Sequence, residues 1–395
     1  MKLLKRISLY LAFILPALGL LISRLRNQEF NSDEFQHTYL AWANLNYDQM
    51  PYRDLWDNHG SLYTFSNSLL MKLANLKAGV DTILVERYFN LFIFVLGALV
   101  LFELFRLLTN KIHYAALGTW LFALTNFATY TIQVRPDNLQ CLFLYLGLLL
   151  ITKAIKKNQN QYAFLAGISF VLMLMTNAKS ISALCGVIIA LVLIKIIDKQ
   201  STSLSILWSV IQGLALALLA FAIFFASQGM LENYLIYSIL YNKDLVLHDV
   251  ERVVGTAKAY YLRRHQWFFA ITIPALGYWS YKGLGKKIDT AKLVIIITIV
   301  IAAIPRIVFS SLWMQYDLLL IPLASFIASC FIIEVLEKYL VPHIASTKLQ
   351  IGLLVYLVIL SSSWYQVFKQ SNPLEQYLAS VDERVNFLVD NLAED

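Results

Sequence analysis

Side chains that could carry out acid-base chemistry are concentrated in one stretch, from Asn31 to Phe65, directly after the first apolar segment. A carboxylate in this stretch could remove a proton from a hydroxyl group. Adjacent acids are also typical of a helical first turn, where the positive end of the helix dipole stabilises them. A catalytic and a structural role are therefore both kept open for the acids of this stretch, which contains Asp33, Glu34, His37, Asp48, Asp54, Asp57 and His59.

The two histidines of this stretch add further alternatives. His37 and His59 with a nearby carboxylate have the ligand types of a metal site, but their spacing matches no defined metal motif. Each histidine also has a structural explanation, since His37 could bond to a neighbour and Asp57 with His59 could order a turn ahead of Gly60. We therefore treat His37, Asp57 and His59 as either acceptor-binding or structural residues.

The composition is that of a polytopic membrane protein. The 395 residues are 59% hydrophobic and 14% charged, whereas soluble domains carry about 25% charged residues. The net charge of +7 lies in short basic clusters between apolar spans, which indicates orientation in a bilayer and not nucleic-acid binding. The three cysteines fall inside apolar runs, so neither a disulfide framework nor a zinc spacing is available.

The apolar segments predict an all-α membrane bundle of about eleven spans, each near the 20 residues needed to cross. The break "TNAKS" could separate two short spans or kink one long helix. The predicted spans lie near 7–23, 88–108, 113–131, 138–155, 162–176, 180–197, 204–227, 266–281, 291–305, 316–336 and 349–367.

The basic residues predict the orientation. The first span resembles a secretory signal but lacks a convincing cleavage site, so we expect a retained anchor with a cytoplasmic amino terminus. Five successive short basic loops then lie inside, at 106–111, 153–157, 195–199, 282–287 and 338–348, as expected for a multi-pass plasma-membrane protein. On this topology the polar chemistry collects on the extracytoplasmic face.

One membrane module over residues 1–368 and a short outer carboxyl-terminal helix over 369–395 are expected. The first outer loop, 24–87, should hold two interfacial helices, because "FNSDEFQHTYLAWANL" and "SLYTFSNSLLMKLANL" have apolar residues at helical spacing. Most tyrosines of the long outer loop, 228–265, are expected to lie at the membrane boundary, and a mobile loop of this length could alternatively close over donor or acceptor.

The motifs and their order resemble the GT-C superfamily of polytopic glycosyltransferases. The nearest relatives in pattern are the dolichyl-phosphate-mannose protein mannosyltransferases and the aminoarabinose transferases. The resemblance rests on the "DE" pair at Asp33, then "PYRDLWDNHGSLYTF", "VRPDNLQCLFLYLGLLL", "MTNAKSISAL" and "QYDLLLIPLASFIA". It covers roughly the first 200 residues well and the remainder loosely. The segment "PYRDLWDNHGSL" lacks the proline that commonly follows the glycine in this family.

The resemblance implies transfer of a hexosyl or pentosyl group from a polyprenyl-phosphate donor to a lipid, glycan or protein acceptor. It also implies interfacial helices over a membrane bundle, with an acid of the "DE" pair acting at the acceptor hydroxyl. That acid is Asp33, with Glu34 beside it. A single displacement with inversion needs one base, whereas retention needs a nucleophile on the opposite sugar face. Both outcomes are open.

The donor phosphate requires a cation near the outer ends of the spans. Arginine suits bidentate phosphate contact and lysine acts as a point charge, but each such residue could instead extend to the lipid headgroups. Asp137 could orient Arg135 or cap the following helix, and Tyr316 could line the cavity or anchor a span. The candidates are Arg135, Asp137, Lys179, Arg263, Arg264, Arg306 and Tyr316.

Cofactor use and function class leave alternatives. A divalent cation between Asp33 and Asp137 is one reading, and cationic side chains acting without a metal are the other. The alternative functions are a transporter or flippase for a lipid-linked or polar substrate, and a non-catalytic membrane scaffold or inactive relative. A transporter would bury ionisable residues near the middle of its spans, whereas here the span interiors are nearly uncharged.

Overall fold

The computed structural model describes seven continuous ranges of the chain and eleven single positions outside them. The ranges are 32–76, 80–110, 130–197, 203–241, 266–284, 289–308 and 318–339. The single positions are 18, 19, 21, 22, 25, 30, 114, 115, 117, 118 and 122. Most of the predicted first span, the last span and the carboxyl-terminal helix lie outside the described residues.

The described ranges are helical, with short connections and one isolated bridge between Pro51 and Leu55. The predicted all-α membrane class is confirmed. In chain order the helices are α1 (Ser32–Tyr47), α2 (Ser61–Ala74), α3 (Val80–Thr109), α4 (Asp137–Lys157), α5 (Asn160–Thr176), α6 (Ile181–Ile197), α7 (Ser203–Ser227), α8 (Leu231–Tyr234), α9 (Gln266–Leu284), α10 (Thr290–Val308) and α11 (Ile321–Tyr339).

Within the described residues, four helical stretches are long and apolar enough to cross a bilayer. They correspond to α3, α4, α7 and the stretch Ala178–Ile196, which contains most of α6. Three shorter apolar stretches lie in α5, α10 and α11. The number of eleven spans therefore remains a prediction.

The helices α1 and α2 were both predicted from their amphipathic patterns, and they pack on each other. In α2 the face turned to the protein is polar, and it includes the buried Thr64, Asn67 and Ser68. The predicted leucine stripe faces outward, with Leu69 56% and Leu73 78% exposed. An apolar stripe exposed beside polar buried residues is expected of a helix that lies at the membrane surface.

The bundle core is built from close helix pairs, α3 with α4, α4 with α5, α5 with α7, and α6 with α10. At the contact of α5 and α7 a Cβ on Gly213 would lie 2.0 Å from the carbonyl oxygen of Phe164. Only a glycine permits this approach, because a Cβ would overlap the carbonyl oxygen. Small residues at such contacts let membrane helices pack backbone to backbone.

The segment "TNAKS" separates two helices, so it is not a kink within one. Asn177 is extended (φ −159°, ψ 114°) after α5 ends, and Ala178–Ser180 form a single 3-10 turn before α6. The side chain of Asn177 accepts a hydrogen bond from the backbone N–H of Lys179 at 3.1 Å. This cap orders the polar turn that lies between the end of α5 and the start of α6.

Candidate active site

Four segments from three separate parts of the sequence meet at one end of the bundle. They are α1, the connection 48–60, the connection 130–136 and the turn 176–180, which we call together the polar platform. The backbone N–H of Gly60 donates to the carbonyl of Thr176 at 3.0 Å, and the Gln140 side chain donates to the carbonyl of Asn177 at 3.4 Å. Residues of three sequence motifs are thus brought together.

Asp33 and Asp137 lie on either side of Arg135. The Arg135 Nη1 donates to Asp33 Oδ2, and its Nε donates to Asp137 Oδ2 at 3.0 Å. Arg135 and Asp137 are almost fully buried, but 37% of the Asp33 side chain is exposed. Asp33 is therefore the member of this trio that a substrate can reach.

The charge of Arg135 is maintained by its two neighbours. Burial alone would lower the pKa of Arg135, but the carboxylates of Asp137 and Asp33 outweigh burial and raise this pKa above its usual value. The guanidinium also lies between the two carboxylates proposed as ligands of a divalent cation. A metal ion bridging them would have to displace a buried cation, so the residues as arranged do not fit a metal there. The described residues contain no cluster of three or more metal-ligating side chains.

Glu34 has a different environment from Asp33, although the two are adjacent. It is fully buried and pairs bidentately with Arg87 of α3, with Nε to Oε1 at 2.8 Å and Nη2 to Oε2 at 2.6 Å. Glu34 Oε1 also accepts the backbone N–H of Val134 at 2.9 Å. This carboxylate joins α1, α3 and the connection that carries Arg135.

Arg87 was not among the residues predicted for the site, because we expected the second span to begin at residue 88. It is fully buried, its Nη1 donates to the carbonyl of Leu25 at 3.1 Å, and its guanidinium lies 4.6 Å from the ring centre of Phe30. The available signal was an arginine in the apolar run "DTILVERYFNLFIF". An ionisable residue inside a membrane helix is expected to have a partner.

Asp57 and His59 order the connection before α2. Asp57 is fully buried, and its Oδ1 accepts the backbone N–H of His59 at 2.8 Å. The carbonyl of His59 accepts a hydrogen bond from Ser238 at 2.9 Å and another from the Tyr52 hydroxyl. The residues that follow α8 are thereby tied to this connection. The geometry agrees with the structural reading of Asp57.

Gly60 is where the connection touches the end of α5. A Cβ at this position would lie 1.8 Å from the carbonyl oxygen of Met175, which is closer than any real contact.

Gly60→Ala should therefore displace the connection from α5 and lower the thermal unfolding temperature in detergent. Backbone atoms would have to move, so we expect a loss in the range of about 1–3 kcal/mol that over-packing causes. Gly277→Ala is the matched control, because nothing lies within 4 Å of a Cβ there. Equal unfolding temperatures for the two variants would contradict the close contact.

His37 lies in the buried interior of the platform. Its ring centre is 4.9 Å from that of His59 and 5.4 Å from that of Tyr63, with edge-to-face geometry. Among the described residues neither ring nitrogen has a hydrogen-bond partner. Burial, then His59 and Arg135, lower the pKa of His37 well below its usual value. His37 is therefore neutral near pH 7.

The lowered pKa of His37 predicts loss of stability in acid. In the unfolded chain a histidine titrates near pH 6.5, so below that pH the unfolded state binds a proton that the folded state excludes. Stability consequently falls as the pH drops through about 6.5. His37→Phe keeps an aromatic ring and should reduce the difference in unfolding temperature between pH 7.5 and 5.5. An unchanged difference would show that His37 does not contribute.

The remaining predicted residues are dispersed. Lys179 lies on the 3-10 turn of the platform with its side chain partly exposed. Arg306 lies near the carboxyl end of α10. Arg263, Arg264 and Tyr316 lie outside the described residues, as does the part of the long loop from 242 to 265.

Comparison with known proteins places these features in a family context. Residues 63–243 match the family model described as dolichyl-phosphate-mannose-protein mannosyltransferase. This range includes Arg135, Asp137 and Lys179, but it begins after Asp33. A search of curated proteins gave no match.

The fold is similar to that of the oligosaccharyltransferase of Archaeoglobus fulgidus. Against its apo crystal structure the TM-score is 0.59 at 13% identity, covering 92% of this chain and 55% of that chain. Against the archaeal oligosaccharyltransferase AglB from the same organism, in complex with an inhibitory peptide and a dolichol-phosphate, the TM-score is 0.56 at 13% identity, covering 91% and 55%.

The chain thus spans about half the length of the solved structures that it matches. At this identity the similarity establishes the fold, and the family model adds a sequence match over a range that contains the motifs at 134–150 and 175–184. The resemblance of this chain to the membrane glycosyltransferases of the GT-C superfamily is therefore confirmed.

Proposed function

We propose that this protein transfers a sugar from a polyprenyl-phosphate donor to the hydroxyl group of a lipid, glycan or protein acceptor at the extracytoplasmic membrane surface. The observation that carries the proposal is the position of Asp33. It is a partly exposed carboxylate held by a buried arginine, within a fold shared with an oligosaccharyltransferase. The structure of that relative with a dolichol-phosphate and a peptide supports these kinds of donor and acceptor.

Asp33 is proposed as the general base. The acceptor oxygen attacks the anomeric carbon of the sugar while the bond from that carbon to the phosphate oxygen breaks. Asp33 takes the proton of the acceptor hydroxyl, and the electron pair of the broken bond leaves with the polyprenyl phosphate. General base catalysis of this kind contributes typically about 10²–10⁴-fold.

Arg135 is proposed as a positioning residue for Asp33. Its Nε is fixed by Asp137 at 3.0 Å, so the guanidinium presents its other edge to Asp33 in one orientation. Because Arg135 is buried, direct phosphate contact is better assigned to more exposed cations, of which Lys179 is the described candidate on the platform.

Glu34 is proposed to be structural. Both of its oxygens bind Arg87, and its side chain is fully buried, so no substrate can reach it without breaking a buried ion pair. The pair of acids therefore divides into one reactive and one structural residue.

The transporter alternative finds no support in the described charges. Buried ionisable residues in and beside the platform, including Arg87, Arg135 and Asp137, gather at one end of α3 and α4. A translocation path requires ionisable groups near the middle of the spans.

The test is transfer by the purified protein in vesicles that contain a panel of polyprenyl-phosphate sugars and extracted envelope lipids and glycans as acceptors. We expect release of polyprenyl phosphate, measured by mass spectrometry, with one member of the panel. If the donor is never consumed and labelled lipid instead crosses the bilayer, the proposal is wrong and the transporter alternative is right.

A further inference from the structure

A second polar feature lies far from the platform. It is a cavity of about 530 Å³ between the ends of α3, α9, α10 and α11, which we call the basic cavity. Its volume is in the usual range of small-molecule sites, about 300–1,000 Å³. The lining side chains used below are Thr109, Tyr278, Lys282, Lys292, Glu334 and Lys338.

The basic cavity lies at the opposite membrane surface from the platform. In α3 Asn90 lies beside the platform, because the Asn138 side chain donates both to the Asn90 carbonyl and to the carbonyl of the platform residue Thr131. Thr109, near the other end of α3, lines the cavity. At 1.5 Å per residue these two positions are separated by about 28 Å along the helix axis. That distance is close to the thickness of the hydrocarbon core, about 30 Å, so the cavity lies at headgroup level. On the expected topology this is the cytoplasmic surface.

Positive charge exceeds negative charge in the cavity. Three lysines line it together with one carboxylate, Glu334. Glu334 Oε2 already accepts hydrogen bonds from Lys282 Nζ at 2.8 Å and from the Tyr278 hydroxyl at 2.9 Å. Its charge is consequently shared with Lys282, and three lysines against one carboxylate give the lining a formal charge of +2.

Two of the three lysines, Lys282 and Lys292, contact aromatic rings. Lys282 Nζ lies 4.6 Å from the ring centre of Tyr278 and 4.9 Å from that of Trp279. Lys292 Nζ lies 5.2 Å from the same Trp279 ring. Trp279 is buried between them, with 4% of its surface exposed. Cation–π contacts of this kind restrict the two ammonium groups, which distinguishes them from lysines extended into solvent.

We propose that the basic cavity binds a phosphate group, presented by the headgroup of an anionic phospholipid or as free phosphate. Basic pockets between membrane helices at the cytoplasmic surface suit anionic headgroups. The ammonium groups of Lys292 and Lys338 would contact the phosphate oxygens. Glu334 would orient the Lys282 ammonium group beside these two lysines. This binding is independent of the transfer chemistry at the platform.

The test uses the full chain in phosphatidylcholine nanodiscs, with the double variant Lys292→Gln and Lys338→Gln. Short-chain phosphatidylglycerol is titrated in one arm and inorganic phosphate in the other, and dissociation constants are measured by native mass spectrometry and thermal shift. For whichever anion binds the wild type, we expect the dissociation constant of the double variant to be at least tenfold larger than that of the wild type. Binding in the lipid arm alone assigns a headgroup, and equal binding in both arms assigns phosphate itself.

The matched control is the double variant Lys153→Gln and Lys157→Gln. It removes the same charge from the same end of the bundle, at α4 beside Tyr162, without changing the cavity lining. We expect this control to bind within twofold of the wild type. Equal weakening in both double variants would show a general surface-charge effect and overturn the site, as would the absence of anion binding by the wild type in both arms.

Discussion

Asp33→Asn should lower the rate of sugar transfer at least about 100-fold, in line with the loss of a general base. The asparagine keeps an oxygen that can accept a hydrogen bond from Arg135, and Asp137 continues to hold the guanidinium. The fold should therefore be retained while the proton acceptor is lost. Release of polyprenyl phosphate in vesicles is the readout, with unfolding temperature and elution volume measured alongside.

The matched control for this change is Asp48→Asn. Asp48 is exposed in the same loop and adopts a left-handed conformation with φ 52°, which asparagine also tolerates. Its transfer rate should stay within about twofold of the wild type, since the group touches no proposed substrate site. Full turnover in Asp33→Asn would remove this residue as the base, whereas loss of activity in both variants would point to a general effect of charge in the loop.

Arg87→Met should be the most destabilising single change among the described ion pairs. It leaves the Glu34 carboxylate buried without its cation, a situation that typically costs about 3–5 kcal/mol. Denaturant or thermal unfolding in detergent measures the effect. The double variant Glu34→Gln and Arg87→Met should recover part of the loss, because no uncompensated charge then remains inside the protein.

Arg106→Met is the control on the same helix. Arg106 also pairs bidentately with a glutamate, Glu103, at 2.6 and 2.7 Å, but both side chains are about 30% exposed. Exposed pairs contribute about 0–1 kcal/mol, so this change should be mild. If Arg87→Met proved equally mild, Glu34 would be neutral or differently paired in the folded protein, and its proposed structural role would fail.

The interfacial helices could be predicted because their residues carry the signal locally. The spacing of Leu69 and Leu73 in α2 and the acids at the start of α1 required no knowledge of distant partners. The pattern gave no indication that the polar side of α2 would face the protein, since Thr64 and Asn67 meet their neighbours only after the bundle forms.

The difference in burial between Asp33 and Glu34 had a local signal that was not used. Successive residues of a helix point about 100° apart, so Asp33 and Glu34 are expected to have different surroundings. Which of the two is buried depends on Arg87, 53 residues away from Glu34. A contact of that separation leaves no trace in the spacing of either segment, and a single sequence could not supply it.

The anchoring of the connection 48–60 has a consequence for the order of events during synthesis. Ser238, which donates to the His59 carbonyl, follows it by 179 residues. At about 5–20 residues per second, the ribosome makes this anchor on the order of 10–40 s after the residue that it holds. The acids of the first loop thus emerge well before Ser238, and a chain interrupted before α8 carries them without that anchor.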